Sequence, residues 1–218
     1  MNSFRALCAA SLLALGLACE PAQAGLVLDL TPGGGPAVCG GCGDVSGTTY
    51  GWGFSVKSPI TVNGIGLWDA NSDGFGGQQY QAGLWTGAGA LLAGATISDA
   101  STPVASAAAD GRWMFESIAP VKLGAGDYLI GSVFHNSDPI AEILGPFITD
   151  PRISLTGGAQ GPGPDGGFSA PTAGFGIPIF GPTLRTPTSV PEPETAPLLL
   201  VGLFSAGLLS FGGRRRKR

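Results

Sequence analysis

The stretch "TYGWGFSVKSPITVNGIGLWD", Thr49 to Asp69, contains two candidate strands on either side of Ser58-Pro59. In the first strand, large aromatic residues alternate with small ones, which is the period of two that a half-buried β-strand requires. Proline cannot donate a hydrogen bond to a sheet, and a Ser-Pro pair favours a turn. The stretch therefore predicts two strands separated by a turn.

The same pattern continues on both sides of this stretch, with short apolar runs separated by Gly, Pro, Asn and Asp. The further candidate strands are Leu26 to Leu30, Tyr80 to Thr86, Leu91 to Ser98, Arg112 to Ile118 and Asp127 to Phe134. No segment between the two termini shows a helical period. We therefore predict an all-β body, residues 25–186, folded as a β-sandwich of the jelly-roll or immunoglobulin-like type.

Composition excludes some classes of protein. The 38 glycines and 18 prolines among 218 residues disfavour long helices. Between Gly25 and Val190 there are five Lys and Arg against twelve Asp and Glu, a net charge of −7. Nucleic acid binding requires clustered cations, so we expect no nucleic acid partner.

The N-terminus has the pattern of a secretory signal peptide, residues 1–24. Arg5 precedes the apolar run "ALCAASLLALGLAC", and "AQA" before Gly25 is a small-x-small cleavage site. An uncleaved anchor helix is the alternative. A lipoprotein signal ending at Cys19 is a weaker one, because Gly16 stands where such signals usually carry Leu.

The C-terminus predicts a membrane anchor. A Pro-rich spacer, residues 187–195, leads to 18 uncharged residues, 196–213, which as a helix would rise about 27 Å and span a bilayer. A cytoplasmic basic tail follows and acts as a membrane stop: Arg214, Arg215, Arg216, Lys217 and Arg218. The positive-inside rule places the body on the other side of the membrane. An ordinary single-span anchor would show the same spacing.

The order of Pro191-Glu192-Pro193, spacer, apolar span and terminal basic cluster resembles the PEP-CTERM sorting signal of Gram-negative bacteria. The resemblance covers about the last 29 residues. It implies that exosortase, an integral-membrane transpeptidase, recognises the Pro-Glu-Pro region and removes the tail. It also implies a membrane-anchored precursor and a mature protein at the cell surface or in extracellular polysaccharide.

A second resemblance covers the body. The succession "YGWGFSVKSPITVNGIGLWD", "DGFGGQQYQAGLW", "GALLAGATI" and "RWMFESIAPVKLGAGDYLIGSVF" is similar to a β-sandwich domain of uncharacterised function common in PEP-CTERM proteins. "FGPTLR", Phe180 to Arg185, resembles its closing strand. The resemblance implies that the Gly/Pro-rich residues 156–181 form a long loop, and it implies no chemistry.

"DANSDG", residues 69–74, has the spacing that opens a calcium-binding loop, with Asp69, Asn71 and Asp73 as the oxygen ligands. A full EF-hand loop needs Glu at its twelfth position, and Tyr80 stands there. The alternative is a hairpin loop in which Asp and Asn cap turns with their own backbone. Calcium is the one cofactor that the sequence suggests.

Cys39 and Cys42 form "CGGC" and are the only cysteines after Gly25. In an oxidising compartment we expect a short disulfide. A free or redox-active pair is the alternative, although the surrounding glycines disfavour the helix that a redox motif needs.

Enzymatic motifs are lacking. His135 is the single histidine, and there is no nucleophile elbow, P-loop or dinucleotide-binding fingerprint in its required setting. Four tryptophans lie in candidate strands, and for most of them core packing is a better explanation than sugar stacking: Trp52, Trp68, Trp85 and Trp113. We therefore expect no enzyme, but an exported surface or matrix protein. A carbohydrate-binding module assisted by calcium is the alternative, and a hydrolase or redox enzyme is a weaker third.

Overall fold

A computed structural model of the chain describes residues 25–31, 37–38, 47–134, 141–142, 146–161, 167–175 and 181–187. These residues belong to one compact unit, Ala24–Pro187. The described part of the chain is all-β with antiparallel sheets, which confirms the predicted class. Its strands are β1 (Leu28–Leu30), β2 (Ala37–Val38), β3 (Thr49–Val56), β4 (Ile60–Ala70), β5 (Tyr80–Thr86), β6 (Leu91–Ile97), β7 (Thr102–Ala105), β8 (Gly111–Leu123), β9 (Gly126–Val133), β10 (Ala141–Glu142), β11 (Phe147–Thr149), β12 (Ile153–Gln160), β13 (Ala173–Phe175) and β14 (Pro182–Arg185).

The stretch from Thr49 to Asp69 forms β3 and the greater part of β4. Strand β3 pairs antiparallel with β9, while β4 pairs antiparallel with β8. Residues 49–70 and 111–133 therefore run side by side as one long ribbon. The turns at 57–59 and 124–125 carry both strands of this ribbon from one sheet to the other.

Two main sheets result from this ribbon. One has six strands in the order β13-β12-β3-β9-β5-β6, and the other has four in the order β14-β4-β8-β7. Two small sheets, β1-β11 and β10-β2, have two strands each. All of these sheets are open along the described residues, and no closed barrel forms there.

The two main sheets share one hydrophobic core. Strand β3 contributes Trp52 and Phe54, and β4 contributes Ile65 and Leu67, all of them buried. Trp52 also crosses between the sheets, because its indole Nε1 donates a 2.8 Å hydrogen bond to the carbonyl oxygen of Pro182 in β14. The alternation of large and small residues in β3 therefore corresponds to a core face and an opposite face.

Asp29 in β1 ties the N-terminal strand to the four-stranded sheet. Its carboxylate accepts hydrogen bonds from Trp113 Nε1 at 2.8 Å, from Ser106 Oγ at 2.5 Å and from the backbone N–H of Ala107 at 3.0 Å. Such charge-assisted bonds are stronger than neutral ones. They hold β1 against the end of β7 and the first part of β8.

Two sequence-based expectations need correction. The Gly/Pro-rich residues 156–181 are not one long loop, since β12 begins at Ile153 and runs to Gln160, and β13 follows at Ala173–Phe175. Strand β8 continues through Pro120 to Leu123, well beyond the predicted end at Ile118. Both segments lack strong alternation, and their pairing with β3 and β4 overrides their weak local preference.

Candidate functional site

The predicted calcium loop connects β4 to β5 and begins at Asp69, which is 1% exposed. The Asp69 carboxylate already has two partners. Oδ1 accepts a 2.9 Å hydrogen bond from the backbone N–H of Gly74, and Oδ2 accepts a 2.8 Å bond from Arg112 Nε, which makes an ion pair. Both carboxylate oxygens are therefore used to close the loop and to bind β8.

A second carboxylate, which the sequence motif did not indicate, holds the other half of the loop. Asp99 accepts hydrogen bonds from the backbone N–H groups of Phe75 and, at 2.8 Å, of Gly77. These donors stabilise the charged form and lower the pKa of Asp99, although the side chain is exposed. Asp69 in β4 and Asp99 in the turn between β6 and β7 thus fix one loop.

The backbone of this loop is unusual. Asn71 and Ser72 have φ angles of 62° and 60°, in the left-handed region, and Gly74 has φ 89°. Asn tolerates this region better than most residues. A Cβ at Gly74 would lie 2.9 Å from Asp99 Oδ1, so a larger residue would disturb the Asp99 contacts.

These contacts bear on the calcium hypothesis. Asp69, Asn71 and Asp73 lie in the order that the motif predicts, but Asn71 and Asp73 are exposed whereas Asp69 is buried and paired. Among the described residues, no group of three or more His, Cys, Asp or Glu side chains is placed to hold a metal ion. The predicted hairpin is wrong, because β4 and β5 belong to different sheets, but the loop is capped by its own Asp69 side chain as that alternative expects. Calcium binding stays a prediction.

A row of small residues crosses the whole six-stranded sheet. Paired register positions connect each strand to the next across the row: Gly174, Ala159, Gly51, Gly131, Gly83 and Gly94. The row lies on the face opposite to Trp52 and Phe54, because the side chains of successive strand residues alternate between faces. The result is a flat track with almost no side chains.

The segment 167–172 lies on this track. A Cβ at Gly83 would stand 2.7 Å from Phe168 Cζ, and one at Gly131 would stand 3.1 Å from Pro171 Cγ. Thr49 Oγ1 donates a 2.9 Å hydrogen bond to the carbonyl oxygen of Gly167. The glycines therefore provide the space that this segment occupies.

A cleft of about 270 Å³ borders the segment, lined by Gln81, Gly94, Ala95, Thr96 and Phe168. The ring of Phe168 is half-buried and packs against Trp85, with 5.2 Å between ring centroids. Gln81 and Thr96 are exposed and supply an amide and a hydroxyl group. None of the described residues that line this cleft is charged.

All four tryptophans are buried: Trp52, Trp68, Trp85 and Trp113 are between 0% and 3% exposed. Trp52, Trp68 and Trp113 belong to the hydrophobic core, whereas Trp85 lies on the opposite face of the sheet, beside Gly83, where Phe168 packs against it. The interpretation as core residues is therefore confirmed for three of the four. A sugar-stacking surface made of exposed tryptophans is not present among the described residues.

Several predicted features lie outside the described residues. They are the signal peptide, the pair Cys39 and Cys42, His135, the sorting residues Pro191, Glu192 and Pro193, the apolar span 196–213 and the basic tail 214–218. The part of the chain that the structure describes has no helix that is both long and apolar enough for a membrane span.

The two ends of the body meet. The carbonyl oxygen of Gly25, the first residue after the predicted signal peptide, accepts hydrogen bonds from Thr186 N at 2.8 Å and from Thr186 Oγ1 at 3.0 Å. Leu26 forms an antiparallel bridge with Arg185. Thr186 therefore pairs with the first residue of the body, and in the sequence it lies five positions before Pro191.

The C-terminal segment beyond Thr186 matches a known family of sorting signals. Residues 189–217 match the model of the PEP-CTERM protein-sorting motif. The chain ends in a PEP-CTERM motif. This motif implies an exported, membrane-sorted protein that exosortase processes. No curated protein and no solved structure matches the chain, so the comparisons assign no chemistry to the body.

Proposed function

We propose that this chain is the precursor of a non-enzymatic protein of the cell surface or extracellular polysaccharide matrix. The single observation that carries the proposal is the PEP-CTERM motif at residues 189–217, directly after a folded β body that ends at Thr186. The body contributes no recognised catalytic motif, and its buried polar groups mainly support loops and strands. Its role is then structural or adhesive.

The proposed maturation has two cleavages. Signal peptidase cuts between Ala24 and Gly25, and the apolar residues 196–213 hold the precursor in the inner membrane with the basic tail in the cytoplasm. Exosortase then cuts near Pro191-Glu192-Pro193. Four residues, 187–190, separate Thr186 from Pro191, so the proposed cleavage site follows the end of the body closely in the sequence.

The test is the intact mass of the protein recovered from the cell surface or medium. We expect an N-terminus at Gly25 and a C-terminus between Pro191 and Glu194. A matched double variant, Pro191→Ala with Pro193→Ala, removes the extended conformation that proline imposes and leaves the span and charge unchanged. We expect this variant to keep Arg218. Retention of Arg218 in the unmodified protein would reduce the ending to a plain anchor.

We also infer that the body is a β-sandwich of the jelly-roll type rather than the immunoglobulin type. The support is the nested pairing of β3 with β9 and β4 with β8, which wraps one antiparallel ribbon from sheet to sheet. Double-sheet jelly rolls are built from such Greek-key pairings. An experimental structure in which β4 and β8 pair within the same sheet as β3 and β9 would contradict this.

Carbohydrate binding is the second candidate function, and the cleft at Phe168 favours it. An aromatic ring with a neighbouring amide and hydroxyl can stack on and hydrogen-bond to a sugar, and the described part of the lining is uncharged, which suits a neutral one. A glycan array probed with the full-length protein tests this, with Phe168→Ala as the cleft variant. Binding that is lost in this variant supports the site. Binding that survives Phe168→Ala but disappears with chelator would instead favour the calcium loop.

A further inference from the structure

Strand β6 is an open sheet edge of unusual composition. Within the described part of the chain, Leu91–Ile97 makes backbone hydrogen bonds to β5 and to no other strand. No other strand among the described residues pairs with its second side, and an edge of this kind recruits a further strand.

The other edges of the two main sheets are protected. Strand β7 has four residues and contains Pro103, which lacks an N–H group. Strand β14 is covered, since the N–H of Val27 donates a 2.8 Å bond to the carbonyl oxygen of Leu184. Strand β13 has only three residues.

Edge strands that stay single usually carry charge or proline. Residues 87–98 contain neither a charged residue nor a proline. Two leucines at the start of β6 are exposed, Leu91 by 53% and Leu92 by 38%. The register with β5 shifts at Leu92, which leaves Ala93–Ile97 as the regular part of the edge. This part has the length of an ordinary strand pairing.

We propose that two copies of this chain pair through β6, antiparallel, across a two-fold axis beside Ala95. Ala93, Ala95 and Ile97 pack toward the core, while Gly94 and Thr96 lie on the opposite face. The core-facing residues of both copies must lie on the same face of the joined sheet. An odd-numbered residue of one copy must therefore lie opposite an odd-numbered residue of the other. A two-fold axis beside Ala95 meets this condition, and it pairs every residue of Ala93–Ile97 with a residue of the other copy.

The uncharged edge allows a second copy of this acidic body to approach in this orientation. The body is acidic, but β6 lies within the uncharged residues 87–98, and the next charged residue is Asp99. In the antiparallel pair, Asp99 of each copy lies opposite position 91 of the other, so the two carboxylates stand about 27 Å apart along the strands. That is beyond the Debye length of about 8 Å at physiological salt. Like charges therefore do not oppose this pairing, and the two six-stranded sheets continue as one.

The test measures self-association of the full-length chain in detergent by sedimentation velocity. In the variant Thr96→Lys, the two ammonium groups lie near the axis and repel each other. We expect the unmodified protein to be dimeric and the variant to associate at least about tenfold more weakly. Ala125→Lys is the matched control, because Ala125 is exposed in the turn before β9 and adds the same charge. It should leave the dimer intact.

A charge-reversal pair separates a lost interface from a damaged fold. Thr96→Glu should also be monomeric, and mixing it with Thr96→Lys should restore the dimer. A photo-crosslinking residue at position 96, but not at 125, should join two copies covalently. A monomeric unmodified protein, equal weakening by Ala125→Lys, or no recovery on mixing would each overturn the proposal. A ladder of species larger than the dimer would indicate open-ended strand addition and would overturn it as well.

Discussion

The substitution Asp69→Asn separates the two interpretations of the "DANSDG" loop. It removes the charge of a carboxylate that is 1% exposed and keeps nearly the same shape. The Asn oxygen can still accept from the N–H of Gly74, but its NH₂ group then faces Arg112 Nε, which is also a donor. The variant therefore loses the ion pair and one charge-assisted hydrogen bond.

The magnitude depends on burial. A hydrogen bond to a charged group contributes about 1.5–3 kcal/mol, and breaking a buried ion pair by removing one partner costs about 3–5 kcal/mol. Arg112 keeps 35% of its side chain exposed and regains water, so the lower part of these ranges applies. We expect a loss of about 3 kcal/mol in the free energy of unfolding, which lowers Tm by about 6–12 °C for a domain of this size.

The assay is thermal unfolding monitored by circular dichroism, in chelator and in millimolar calcium. Asp73→Asn is the control, since it makes the same change at an exposed position of the same loop and should stay within about 0.5 kcal/mol. If Asp69 closes the loop, only Asp69→Asn loses stability in chelator. An unchanged Tm for Asp69→Asn in chelator would refute this reasoning. A calcium-dependent rise in Tm that both variants abolish would establish the metal site.

Three further outcomes are expected from other contacts. Backbone N–H donors lower the pKa of Asp99, so this carboxylate stabilises the fold at pH values above its unfolded-state pKa of about 3.9. The stabilisation is lost as the pH falls through that value and then through the lower pKa of the folded state. The acid branch of a Tm-against-pH profile should therefore be flatter for Asp99→Asn. Gly83→Ala should cost about 1–3 kcal/mol in chemical unfolding, because its Cβ would meet Phe168 at 2.7 Å, whereas Gly94→Ala, at 3.6 Å, should be nearly neutral. Phe168→Ala should uncover Trp85 and shift tryptophan fluorescence to the red, and an unchanged spectrum would contradict the packing.

Strand prediction is most accurate where alternation is strong. The bounds of Thr49–Val56 and Tyr80–Thr86 agree with the predicted ones at both ends. Strand β12 is not predicted, since "ISLTGGAQ" has glycine where a pattern would need apolar residues. Its place is decided by pairing with β3, about a hundred residues earlier in the chain. The amino-acid sequence of residues 153–160 does not indicate which distant strand they will pair with.

For the candidate sites, too, the sequence indicated local features but not contacts between distant residues. The "DANSDG" motif located the loop but not its partners, because Arg112 and Asp99 come from other parts of the chain and no fixed spacing connects them to Asp69. Phe168 gave no signal at all, as it lies in a Gly/Pro-rich stretch that resembles a loop.

The all-β class and the C-terminal sorting address can both be predicted from the amino-acid sequence, because both are local. A strand shows its period of two within a few residues, and the PEP-CTERM motif is contiguous at residues 189–217. Three other features emerge only in the folded chain: the track of six small residues from six strands, the ion pair of Asp69 with Arg112, and the edge position of β6 among the described strands. They depend on strand register and order, which arise from contacts between residues far apart in the chain.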